Sequence, residues 1–460
     1  MAPIKIYYER TLIMLLNFLF IFIFLLIIIT FILFEGDLFQ PAVILTLAYF
    51  ISIASALVNR NVWGTELHFK TFGLILLGVA TFIIVSLLTK LSYKPKVEGI
   101  SYKELKEINP SKIIYGILLI LNLVMLFLYI HEIQKVVLFS GRGFSNITDL
   151  ISNYRYLSYY SNEVEDRVSG MINQLAKIIP ATTFVSLYIF INNYFITKQI
   201  KKNFIYLIPI AIFFVYAIIS GGRLPLIRLV IGTLLILYIY SVYGSHKSQL
   251  TRSFKMITRS LFAFLMLIVL FFLLKFVLGR SSQEDFISYI TRYMGGSIQL
   301  FDLFVIDPIR RNKELGAETF SGIYEMLAKL GFDNNIIKGL EWRISPNYYS
   351  LGNVYTAIRR YYSDFGVIGI VICQSFTAWL YTLGYEKIRH HSLVTNGQRF
   401  RLILLAASFY PLFLNSIEDV FYISMVTIGY GIQIVIFYLV FWVLLKVQVD
   451  FNKGKLRINR

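Results

Sequence analysis

The sequence predicts an all-α polytopic membrane protein, and three observations predict it. The 460 residues are 57% hydrophobic and only 15% charged, against about 45–50% and about 25% in soluble domains. Mean hydropathy is +0.67. The apolar residues fall in runs of about twenty, the length that crosses a bilayer as a helix.

Taken in order, the runs are 11–34, 38–58, 68–89, 112–132, 173–196, 203–220, 224–243, 260–279, 364–385, 400–417 and 421–446. That is about eleven spans, or twelve if residues 1–112 hold one more. Neighbouring runs joined by a few residues must be helical hairpins, because unpaired backbone is costly in hydrocarbon. The first run is too long for a signal-peptide core and lacks a small-residue cleavage site, so it is expected to remain as an anchor. Abundant Phe (40) and Tyr (32) suit the two membrane interfaces.

The net charge of +18 is read as loop charge that holds loops inside, not as a nucleic-acid surface. Lys446, Lys453, Lys455, Arg457 and Arg460 put the C-terminus in the cytoplasm. Working back, 386–401, 244–259, 197–202 and 90–112 are inside. Segments 133–172, the turn 220–223 and 280–363 are then outside. An odd number of spans leaves Lys5 and Arg10 outside, against the same charge rule. Three regions follow: spans 1–8 with the outer segment in 1–279, an extracytoplasmic loop 280–363, and the last three spans with a basic tail in 364–460. Helix-like stretches lie near 283–305 and 317–330. Long loops of this kind are usually functional.

Several chemistries find no support. The one cysteine, Cys373, lies in an apolar run, which rules out a disulfide within the chain. None of the five histidines, His68, His131, His246, His390 and His391, sits in a metal-binding pattern. No phosphate-binding glycine loop is present, and neither a cofactor nor a metal is expected.

Arginine is the informative residue. Loops 90–112 and 197–202 carry lysine alone, whereas 280–363 carries Arg280, Arg292, Arg310, Arg311, Arg343, Arg359 and Arg360. Arginine binds phosphate through two parallel N–H bonds and keeps its proton. For Arg310 and Arg311, surface pairing with the loop's own acids is the expectation. Ser220-Gly221-Gly222-Arg223 turns between two spans, with Pro225 suited to a helix's first turn. Arg223 is therefore placed at a helix N-terminus, which favours anions. Its bland alternative is an arginine reaching for lipid headgroups. Arg280 and Arg292 stand beside serines and glycines at similar turns.

Residues 345–369, SPNYYSLGNVYTAIRRYYSDFGVIG, form the densest constellation. Asn353 is expected to cap a short helix. Tyr355, Arg359 and Tyr362 then share one face, with Arg360 and Asp364 paired on another. Tyr361 adds a further ring, and Gly366 releases the chain into the next span. Tyrosine with arginine and an acid suits sugars and a phosphate together. An interfacial aromatic belt is the alternative. Trp342 can stack a sugar, and Glu418 with Asp419 offers acids in the last outer turn.

The span layout, SGGR at 220–223, the late outer loop and GNVYTAIRRYYSDFGVIG at 352–369 resemble the Wzy-type oligosaccharide repeat-unit polymerases. These make O-antigen, capsule and exopolysaccharide. The resemblance implies an enzyme of the bacterial cytoplasmic membrane with an extracytoplasmic active face. It would join undecaprenyl-pyrophosphate-linked oligosaccharide repeat units as undecaprenyl pyrophosphate departs. It implies work beside a flippase and a chain-length regulator, without a metal. Carried onto this chain, it makes Arg223, Arg359 and Asp364 catalytic. Arg280, Arg292, Trp342, Asn353, Tyr355, Arg360, Tyr361, Tyr362 and Glu418 are then substrate-binding. The histidine proposed as base in the related O-antigen ligases has no counterpart in 280–363, so Asp364 or Glu418 is the expected base. A lipid-linked oligosaccharide transporter is the rival of a different class. The apolar centres of most spans and the polar outer loops speak against it.

Overall fold

The structure, a computed structural model, describes residues 2–94, 105–160, 168–242, 265–266, 268–269, 272–273, 275–276, 284–309, 314–332, 337, 339–390, 393–450 and 455–458. Helix dominates it. The apolar runs become α1 Ala2–Leu33, α2 Pro41–Val58, α4 Phe69–Ser92, α5 Lys112–Phe139, α8 Ile178–Thr197, α10 Ile208–Ile219 and α11 Leu224–Val242, with short α3 Arg60–Trp63, α6 Ile147–Tyr160, α7 Gly170–Leu175 and α9 Ile200–Asn203 between them. Helical residues between 265 and 276 follow. Then come α12 Phe286–Ile306, α13 Ser321–Lys329, a hairpin of β1 Arg343–Ile344 and β2 Ser350–Gly352, α14 Ala357–Arg389, α15 Asn396–Ser408, α16 Tyr410–Leu414, a π-turn Phe421–Met425 and α17 Ile428–Lys446.

Among the described residues nine helices are long and apolar enough to cross a membrane. The chain is thus an all-α multi-pass membrane protein. Of the two remaining expected spans, 260–279 lies largely outside the described residues. The other, 400–417, is the α15–α16 pair, which Phe409 interrupts. Phe18, Ile21, Phe22, Ile120, Leu123 and Phe127 are exposed along α1 and α5. In water such surface costs about 25 cal/mol per Å², whereas lipid is its natural solvent. The basic tail adds one ladder, with β3 Val447–Asp450 antiparallel to β4 Lys455–Ile458.

Two ends of the bundle are defined by polar bonds. At the first, Lys90 Nζ meets Glu35 at 2.9 Å and Arg389 meets Asp37 at 3.2 Å. Tyr238 of α11 and Tyr385 of α14 donate to the same Asp37. Segment 105–111 joins this end through Lys202–Glu107 and the Asn193–Ile108 pair. It is the lysine-rich end. Glu35-Gly36-Asp37 belongs here, beside the loops predicted to be inside, and not at the opposite, loop-bearing end.

α12, α13 and the hairpin cover the loop-bearing end. The expected stretches 283–305 and 317–330 are therefore helices in fact. α12 starts where Asp285 accepts the Ile287 and Ser288 amides at 3.1 and 3.2 Å, a side-chain N-cap. It is no span, because it touches the loop-bearing tips of other helices along its length. Gly295 packs against the Ser55 and Ala56 backbone, and Asp302 meets His68 at the start of α4.

α14 is broken. Gly366 has φ 65° and ψ −151°, a region that only glycine enters readily. The expected release at Gly366 is therefore a fold-back. Residues 357–365 form a half-helix that dips into the bundle, and 367–389 is the membrane-length part. The two halves touch where Gly369 meets Tyr361 O and Phe365. The half-helix ends deep: Ala357 N donates to Asn415 O at 2.9 Å. Asn415 Oδ1 accepts from Gln374 at 3.0 Å and from Tyr49, in the middle of α2, at 3.1 Å.

A cation cluster and a buried arginine helix

The SGGR turn joins α10 to α11 with Gly221 at φ +71°, and a Cβ there would stand 3.2 Å from Arg155 Cβ of α6. Glycine is required both for the turn and for this close approach. The turn delivers Arg223, 5% exposed, to two rings of α12. Its Cζ lies 5.3 Å from the Tyr289 centroid and 5.7 Å from that of Tyr293. Arg292, one turn along α12, stands 5.6 and 4.9 Å from the same rings. Lys275 Nζ reaches the Tyr289 ring at 5.1 Å.

Three cations thus gather on one tyrosine. Like charges at such separations repel, and the ring faces offset only part of that cost. Glu284 supplies a carboxylate. It grips Arg292 through three contacts of 2.7–3.1 Å and accepts the Tyr349 hydroxyl at 2.5 Å. Burial works against the Arg292 charge, but the Glu284 bond and charge outweigh it and hold that pKa above its ordinary value. Burial, helped by Glu284, pushes the Tyr349 hydroxyl up to about 12. Lys275 donates to the Glu284 carbonyl at 3.2 Å.

The second arginine group differs. Thr356, not Asn353, occupies the N-cap position of the half-helix. Tyr355 precedes the helix, so the expected Tyr355–Arg359–Tyr362 helix face does not form. Tyr355 and Arg359 still meet, at 5.2 Å, but inside the protein. Arg359 is 1% exposed, pairs with Glu341 at 2.9 Å and with Glu318, and lies 4.1 Å over the Phe304 ring. Tyr355 donates to Glu341 O at 3.0 Å, and burial first, then the Glu341 charge, raise its pKa. Arg360, 3% exposed, donates to Glu318 O at 3.0 Å. Asp364 does not cap a pair with Arg360 on an open face; its Oδ2 accepts the Thr319 amide at 2.7 Å.

Tyr361 is fully buried against Tyr422. Tyr362 is half-buried, with Lys70 Nζ 5.4 Å above its ring. Trp342 is 57% exposed and donates to Ser350 at 3.0 Å. Asn353 is half-buried, and Glu418 is exposed beside a buried Asp419 that accepts the Tyr422 amide at 3.1 Å. Arg280, Arg310 and Arg311 lie outside the described residues.

Sequence reasoning missed Lys275, Glu284, Glu318 and Glu341. Lys275 carried a signal, a charge inside an apolar run; the three glutamates carried none. Also missed is a dyad at the same end: His68 Nδ1 lies 2.9 Å from Asp302 Oδ2, and Asp302 Oδ1 accepts the His68 amide at 3.0 Å.

No protein-family model, curated protein or solved structure matches the chain. Cations gathered at Tyr289 suit contact with an anionic group, and an imidazole held by a carboxylate suits taking a proton. The Arg359 pair is already satisfied by carboxylates of the same chain.

Proposed function

We propose that the protein is a polymerase of lipid-linked oligosaccharides in the bacterial cytoplasmic membrane, with its loop-bearing end outside and its C-terminus inside. Repeat units on undecaprenyl pyrophosphate are joined into O-antigen, capsule or exopolysaccharide. The observation that carries this reading is the convergence of Arg223, Arg292 and Lys275 on Tyr289. A diphosphate leaving a sugar takes the electron pair of its C–O bond onto a phosphate oxygen. Fixed cations in a partly dry site stabilise that developing charge. The acceptor hydroxyl forms the new bond to the anomeric carbon and gives up its proton.

The sequence resemblance at 220–223 and 352–369 supports the same reading, with 280–363 as the working loop. Arg359 and Arg360 then act from beneath, as the frame of that loop. Trp342 and Tyr362, which keep exposed ring surface, are the sugar platforms. The flippase and the chain-length regulator are the expected partners.

The test is purified protein with a defined lipid-linked repeat unit. The expected result is a ladder of polymer with one undecaprenyl pyrophosphate released per bond. Transfer of the sugar to a lipid A core acceptor instead would indicate a ligase.

One observation favours a transporter. The half-helix of α14 starts at depth, beside the segment after α16, where Asn415 and Ser416 bond Tyr49 and Ser52 of α2. Interrupted helices with polar groups at mid-depth are a transporter feature, which removes the argument from apolar span centres. Movement of a labelled lipid-linked oligosaccharide across proteoliposomes, without polymer, would select that reading.

A further inference from the structure

The proposed transfer needs a group to receive the acceptor proton. Of the two bases expected from the sequence, Asp364 has one oxygen engaged by the Thr319 amide, and Glu418 stands exposed beside Asp419; neither is an imidazole held by a carboxylate. We infer that His68, oriented by Asp302, is that base; the inference rests on the polymerase reading.

Asp302 is 1% exposed and belongs to α12, whereas the His68 side chain is 25% exposed at the start of α4. One carboxylate oxygen takes the His68 amide and the other takes Nδ1. A bond to the amide alone would suffice to lock α4 to α12. The second bond fixes the ring. With Nδ1 donating to a buried carboxylate, the neutral imidazole carries its lone pair on Nε2, the arrangement a general base requires.

The neighbours fit a sugar acceptor. Lys70, two residues on, is exposed and stands 5.4 Å over Tyr362, and Phe301, next to Asp302, packs on the same Tyr362 ring. The dyad thus borders the aromatic surface of the half-helix. It also shares α12 with the cation cluster: Asp302 lies ten residues from Arg292, about 15 Å at the helical rise. That separation leaves room for a diphosphate and the sugar attached to it. In the step, the acceptor oxygen bonds the anomeric carbon and its proton passes to His68 Nε2. The bond to the diphosphate oxygen breaks with its electron pair, and the imidazolium later returns its proton to water. Asp302 is a positioning residue.

The experiment measures steady-state polymerisation of a lipid-linked repeat unit by wild type, His68→Ala, His68→Gln and Arg223→Ala. For His68→Ala, kcat should fall about 10²–10⁴-fold with KM within about threefold. Added imidazole should restore part of the rate to His68→Ala but none to Arg223→Ala, because only the first lacks a proton acceptor. His68→Gln, which keeps the amide bond to Asp302, should be as slow as His68→Ala and melt like wild type. A rate within threefold of wild type in His68→Gln overturns the inference and leaves the polymerase reading standing. A slow variant that imidazole cannot rescue assigns His68 to the lock alone and overturns it too. Absence of polymer from wild type overturns the reading beneath it, and the inference with it.

Discussion

The two ends of the bundle both bury charge, and they arrange it differently. At the lysine-rich end, Asp37 is fully buried and is met by Arg389, by Tyr238 and Tyr385, and by the Phe39 amide. Glu386 accepts from Gln40 and faces His390. Each anion has its cation or donors, and four helices are tied together. At the loop-bearing end, the Tyr289 ring is faced by Arg223, Arg292 and Lys275, with Glu284 as carboxylate. Buried pairs hold a fold, because removing one partner strands the other. Cations gathered on one ring attract a ligand of the other sign. The Arg359 group resembles the lysine-rich end in its pairing, although it lies at the loop-bearing end.

Substitutions can break this comparison, and the largest effect is expected at Arg359. Arg359→Ala removes the guanidinium that Glu318 and Glu341 share, which should cost about 3–5 kcal/mol of stability. The level of folded protein should fall along with polymer; a normal level would move Arg359 from the frame to the site. Asp37→Ala removes the carboxylate that Arg389, Tyr238 and Tyr385 share and should destabilise by a similar amount, about 3–5 kcal/mol, while activity per folded molecule stays at wild type.

Arg223→Ala reverses the pattern. Its melting temperature should hold, and the rate should fall about 10²–10³-fold, read as polymer formed per folded molecule. Wild-type rates would remove the cluster from catalysis. Gly366→Ala asks the fold-back to take a backbone conformation closed to alanine, at a cost of about 1–3 kcal/mol. Its signature is easier thermal unfolding. The smallest effect is expected far from both clusters. Thr395→Ala removes the bond to the Gln398 amide that caps α15 and should cost about 1 kcal/mol, with no change in activity.

Much of the site could be read only in part. Arg223 was legible because a charge at the membrane edge beside two glycines is costly unless it is used. Arg292 stood out as an arginine in a loop predicted to lie outside. Lys275 was hidden in a run read as span. The partners of Arg359 could not be read at all, because Glu318 and Glu341 stand in different segments of the loop and nothing local ties them to one guanidinium. His68 was noted only as lacking a metal-binding pattern, since its carboxylate lies 234 residues away. Gly366 was recognised as a break, but its direction was missed: a glycine announces that a turn is permitted, not which way the chain goes.

By itself the sequence determined the solvent and the element type. Runs of about twenty apolar residues must satisfy their backbone within a helix when lipid surrounds them, and that argument needs no neighbour. Only the tertiary structure decided which charges meet. Pairing depends on distances between segments far apart in the chain, so it sorted one set of arginines into closed ion pairs and gathered another, with a buried lysine, around a single tyrosine.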